Sequence, residues 1–166
     1  LVTGALARHT GATPRIMVRN IADFERGFAG FDVDGKMKEL FEFDPDLVVL
    51  AIGENVPPLD SADARLQFKA GVMDILRCAL AKRRPLVVVR SCFWPDPAKD
   101  EALREACREA DAIFVDAGPI GRDAANAARS ERSFTHDGVA NHPGDRGMKA
   151  LADAIVGAVL QRNVDR

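Results

Sequence analysis

Four stretches of the chain are apolar and rich in branched side chains, and helical patterns lie between and around them. Arg15 to Asn20, Leu47 to Ile52, Leu86 to Arg90 and Ala112 to Asp116 read as central parallel strands. Near-continuous Val/Ile/Leu runs are expected where both faces of a sheet are covered. Elsewhere the apolar positions recur at helical spacing. Leu1 to Thr10 has a helical pattern that stops at Gly11, with no N-cap residue before it. Ser61 to Lys82 places Leu66, Ala70, Met73, Leu76 and Leu80 on one predicted face. Asp100 to Ala110 sets Leu103, Ala106 and Cys107 against a charged side, and Met148 to Leu160 carries a stripe of Met148, Leu151, Ala152, Ile155 and Val159. Strand–helix alternation at this spacing predicts a single α/β domain over residues 1–166 with a parallel sheet. The helix that opens at Leu1 without a cap carries the expectation of further sequence upstream.

The bulk numbers narrow the partners more than they name them. With 166 residues, 47% of them hydrophobic, the chain is long enough for one buried core. A net charge of −2 gives no footprint for nucleic acid, and Lys82-Arg83-Arg84 falls where a helix ends, where cations meet the helix dipole. No apolar run is long enough to span a bilayer, so no membrane partner is expected. Cys78, Cys92 and Cys107 show neither metal nor redox spacing and read as small buried hydrophobes, which fits a reducing interior, although an upstream leader would be invisible here.

Ligands of open parallel sheets bind beyond the C-terminal ends of the strands. That rule selects the segments after Asn20, Gly53, Ser91 and Asp116, with the His142 loop placed to close over the same edge. In His142-Pro143-Gly144-Asp145-Arg146-Gly147-Met148, proline restricts the backbone of the histidine, which suits a general base; the plainer alternative is a surface histidine near a helix start. His136 competes from the same loop. A base of this kind needs an acceptor that fixes its tautomer. Asp137 is the nearest upstream acid, Asp145 is better placed at the helix start, and a backbone carbonyl is the weaker substitute. Gly53-Glu54-Asn55 follows a predicted strand, where Asn55 can aim an amide at a developing oxyanion or simply bond its own loop. Glu54 is expected to face solvent or form a salt bridge. Asn20 ends another predicted strand, where a backbone N–H offers a further donor. Ser91 lacks the small flanking residues of a nucleophile elbow, and Ser91 to Trp94 reads as a pocket wall.

These two runs resemble motifs of the SGNH (GDSL-type) hydrolase superfamily: Gly53-Glu54-Asn55 its Gly-x-Asn block, and His142-Pro143 with the following helix start its last block. The resemblance implies a flavodoxin-like three-layer α/β/α sandwich with a parallel sheet, and a serine esterase acting on acyl esters, often acetyl esters of carbohydrates or small alcohols, without a cofactor. It assigns His142 as base, Asp137 as the acid that supports it, and Asn55 with Gly53 to the oxyanion hole. No Gly-Asp-Ser occurs, so the family's first strand and serine are expected upstream of Leu1. Val56 stands where the family has aspartate after the asparagine, Val139 stands three before His142, and no glycine of the second block lies between Asn20 and Gly27. An acyltransferase on the same site and a catalytically silent binding module are the alternatives. A flavin or nucleotide binder is disfavoured by the absence of a phosphate-cradling loop.

Overall fold

The computed structural model describes residues 1–164. Its spine is a parallel sheet of three strands, β1 (Leu47–Ala51), β2 (Leu86–Arg90) and β3 (Ile113–Val115), in the order β1-β2-β3. Leu47 pairs with Leu86 and Val88 with Ile113, so all three strands point their C-terminal ends the same way. Three of the four predicted strands are therefore present, within a residue or two of their expected limits.

Strand alternation distributes β2 between two cores. Val87 and Val89 face a layer made of α3 (Val33–Glu42), α4 (Ala62–Leu80) and α5 (Pro97–Ala110). Val88 faces the other way, onto Ile155 and Val159 of α8 (Asp145–Val164), beside which α1 (Val2–Thr10) packs through Val2 and Leu6. Helices thus cover both faces, which is why β2 is apolar at every position up to Arg90. Local chemistry sets the helix ends. Ser61 Oγ accepts the Ala64 N–H to start α4, Asp96 accepts the Ala98 and Lys99 N–H groups with Pro97 in the first turn of α5, and α1 ends at Gly11 in the left-handed region. The remaining short helices are α2 (Ala22–Arg26), α6 (Gly118–Arg122) and α7 (Asp137–Ala140).

Two expectations are corrected. Arg15 to Asn20 belongs to no strand or sheet, with Ile16 57% and Val18 87% exposed. A strand exists only through the partner it hydrogen-bonds, and this segment has none. The predicted face of α4 is turned: Phe68, Val72, Ile75 and Leu76 are buried while Leu66 is 65% exposed. The cause is Gly71, whose missing side chain lets the ring of Phe24 and the carbonyl of Phe28 approach the helix; a Cβ there would lie 3.1 Å from the Phe24 ring. On α8, Met148 is likewise 47% exposed, whereas Leu151, Ala152, Ile155 and Val159 are buried as the stripe predicts.

Candidate functional site

The C-terminal rim of the sheet is organised by carboxylates that hold loop N–H groups. Glu25 on α2 is 5% exposed, and its Oε1 accepts the backbone N–H groups of Gly53 (2.7 Å) and Asn55 (3.2 Å). Its Oε2 accepts from Asn55 Nδ2 at 2.7 Å. A side-chain amide has two N–H groups, so this bond commits one and fixes the direction of the other. Gly53 turns the chain at φ +124°, outside the range of other residues, and a Cβ there would collide with Cys92 Sγ. The Gly53 N–H is already donated to Glu25, so Asn55 alone of this pair retains a donor group beyond it.

Glu54, between them, points the opposite way. It pairs with Arg90 at 2.7 Å and accepts the Phe93 N–H at 2.9 Å, the salt bridge its position suggests. Burial alone would raise its carboxyl, but the Arg90 guanidinium and the Phe93 amide outweigh that and hold it below the ordinary carboxylate value. Asp100 accepts the N–H groups of Cys92 and Asp96, and Ser91 Oγ accepts the Ala117 N–H at 2.8 Å. Ser91 is fully buried and bonded into the frame; of the run Ser91 to Trp94, only Phe93 and Trp94 line the cleft beside His142. Burial, with Asp100 and Glu54 close by, pushes the Cys92 thiol far above its usual value, and Cys107 is pushed up to about 12 by burial, so neither supplies a thiolate.

His142 is fixed through its backbone. Its N–H donates to Val139 O, its carbonyl accepts from Ala128, and Pro143 bridges Ala127 in an antiparallel step. The imidazole stands edge-on to Trp94, with ring centroids 4.9 Å apart and planes at 83°. Among the described residues no hydrogen bond reaches the ring, from Asp137 or from any other acceptor. Asp137 is exposed in the first turn of α7; His136 caps that helix, its Nδ1 accepting the Gly138 N–H at 3.1 Å. Asp145 does not cap α8. Glu131 does, its two oxygens accepting from the Asp145 and Arg146 N–H groups at 2.8 and 2.7 Å, and those amides lower its pKa. Asn20 uses its side chain to accept the Ala22 N–H.

An open cleft of about 620 Å³ lies beside His142, walled by Phe93, Trp94, Arg122, Arg129 and Asn141. Asn55 is not part of its lining, but the two neighbourhoods meet at one segment: Glu54 holds Phe93 and the next residue, Trp94, stacks on His142. The loops after β1 and β2 and the His142 loop therefore share one rim. Among the described residues no cluster of three or more metal-ligating side chains occurs and no helix is long and apolar enough to cross a membrane. Sequence reasoning missed Glu25 and Glu131. The one local signal was a carboxylate set between Phe24 and Phe28, on the buried side of a short helix. Comparison with family models, with curated proteins and with solved structures finds no match to this chain.

Proposed function

We propose that this chain belongs to a serine esterase of the SGNH type, cleaving acyl, most simply acetyl, esters of carbohydrates or small alcohols. The observation that carries the reading is the presence, on one rim of a parallel sheet, of a backbone-fixed imidazole with no bonded acceptor or donor among the described residues and of an asparagine amide oriented by a buried carboxylate. On this reading the serine lies upstream of Leu1, on a strand along the free edge of β1. Its hydroxyl adds to the ester carbonyl as His142 takes the proton. The remaining N–H of Asn55 donates to the oxyanion. Collapse expels the alcohol, which His142 reprotonates, and water then releases the acyl group by the same route.

The test is made on the protein carrying its upstream residues. A fluorophosphonate probe labels the serine, p-nitrophenyl acetate is hydrolysed, His142→Ala abolishes turnover with the circular dichroism unchanged, and Asn55→Ala lowers kcat about 100-fold or more. Unchanged turnover in His142→Ala removes the role given to it. The silent binding module is favoured by one observation, the absence of a hydrogen bond from Asp137 to His142; failure of the full-length protein to take the probe selects it. Diversion of the acyl group to a sugar acceptor selects the acyltransferase.

A further inference from the structure

The cleft beside His142 has a charge pattern that ester hydrolysis alone does not require. Arg122 and Arg129 are among its lining residues, and no acidic residue is. Neither arginine forms an ion pair among the described residues. The acids next to them are committed elsewhere: Asp123 accepts the Ala125 N–H and lies 3.8 Å from Arg146, and Glu131 is bound to the first amides of α8. The same cleft is lined by two aromatic residues, Phe93, which is buried, and Trp94, which is 40% exposed.

A guanidinium offers a planar fork of N–H donors that matches the two oxygens of a carboxylate, sulfate or phosphate. Two arginines sharing a cleft with two aromatic rings suit a ligand with an apolar or ring-shaped body and an oxyanion group. We propose that this cleft selects substrates bearing an oxyanion group, held by Arg122 and Arg129 while the body of the molecule lies against Trp94. The proposal rests on the esterase reading for the word substrate, but the binding it asserts does not depend on turnover.

Trp94 itself is the reporter. It is the sole tryptophan of a chain without tyrosine, so the fluorescence excited at 295 nm comes from the cleft wall. Galacturonate and glucose 6-phosphate, at constant ionic strength, are each titrated against galactose and glucose. Saturable quenching by the anionic sugars, at least 10-fold tighter than by their neutral counterparts, supports the proposal; which anion binds tighter distinguishes carboxylate from phosphate. In Arg122→Gln/Arg129→Gln, with circular dichroism unchanged, that preference falls to within twofold. Equal binding of charged and neutral sugars, retention of the preference in the double variant, or no saturable change up to about 50 mM overturns it. Such a failure leaves fluorophosphonate labelling intact, and failure of labelling leaves the Trp94 titration intact, so the two readings fall separately.

Discussion

Glu25 carries more of the rim than any residue picked out by motif. It is a buried carboxylate whose charge is met by three N–H groups from one loop, an arrangement in which charged hydrogen bonds offset the loss of water. Replacing it by alanine leaves the Gly53 and Asn55 donors without partners in a place where each unpaired group costs about 1–3 kcal/mol. We expect Glu25→Ala to lower unfolding stability by about 3 kcal/mol in urea titrations, and a loss under 1 kcal/mol would show that water replaces the carboxylate. Glu54 makes a separate prediction in pH. Its folded-state pKa is depressed below the ordinary 4.5, so its contribution is full above that value and is lost as pH falls through the depressed one. Urea midpoints of wild type and Glu54→Gln should therefore differ most above about pH 5 and converge towards pH 3; a constant difference across that range rejects the Arg90 pair as its source. Asn55 and His142 could be singled out as candidates because the motifs that carry them lie within single short runs. Glu25 was not, because its partners stand 28 and 30 positions further along the chain and only folding brings them together.

Elements were legible where one physical preference acted alone. β2 is apolar on both faces and was placed at its observed limits, and the buried side of α5 follows from a clear charged-versus-apolar division. α4 is different because apolar residues occur on most of its sides. Leu66, Ala70 and Met73 form one plausible stripe and Phe68, Val72 and Ile75 another, and the choice is made by Phe24 and Phe28 seated at Gly71, which periodicity does not reveal. Substitutions separate the two faces. Leu66→Ser should change stability by no more than about 0.5 kcal/mol, as for other exposed positions, whereas Phe68→Ala, at a fully buried position of the other stripe, should cost about 3–5 kcal/mol. Comparable losses at both sites, measured by thermal or chemical unfolding, would mean that α4 buries the stripe first predicted. The Arg15 to Asn20 segment failed as a strand for a reason outside itself. Its composition favours a strand, but sheet membership depends on a neighbour that composition does not describe, and none of its residues joins the sheet.

At the scale of the whole molecule, these observations converge on the edge of β1. A parallel sheet covered by helices normally buries its strands on both faces, yet Val49, in the middle of β1, is 39% exposed and Ala51 is exposed beside it. Among the described residues, the backbone groups of β1 that point away from β2 have no strand to bond. The Arg15 to Asn20 segment, which belongs to no sheet, is followed by Glu25 holding the Gly53 loop and begins with Arg15 over the Phe43 ring. An uncovered edge, on a chain that also exposes Ile16 and Val18, is the feature that natural sheets avoid, because it templates pairing with other chains. The chain Leu1 to Arg166 taken alone should therefore associate as its concentration rises. Light scattering after size exclusion will show this as a mass that grows with loading, and Val18→Lys/Val49→Lys should hold the mass at that of one chain. Hydrogen exchange gives the same answer at low concentration: amides of Val87 to Val89 should be the slowest, and alternate amides of β1 should exchange far faster. If β1 is protected as strongly as β2 in a monodisperse sample, its edge is covered from within the chain, and the place assigned to a serine-bearing strand is already filled.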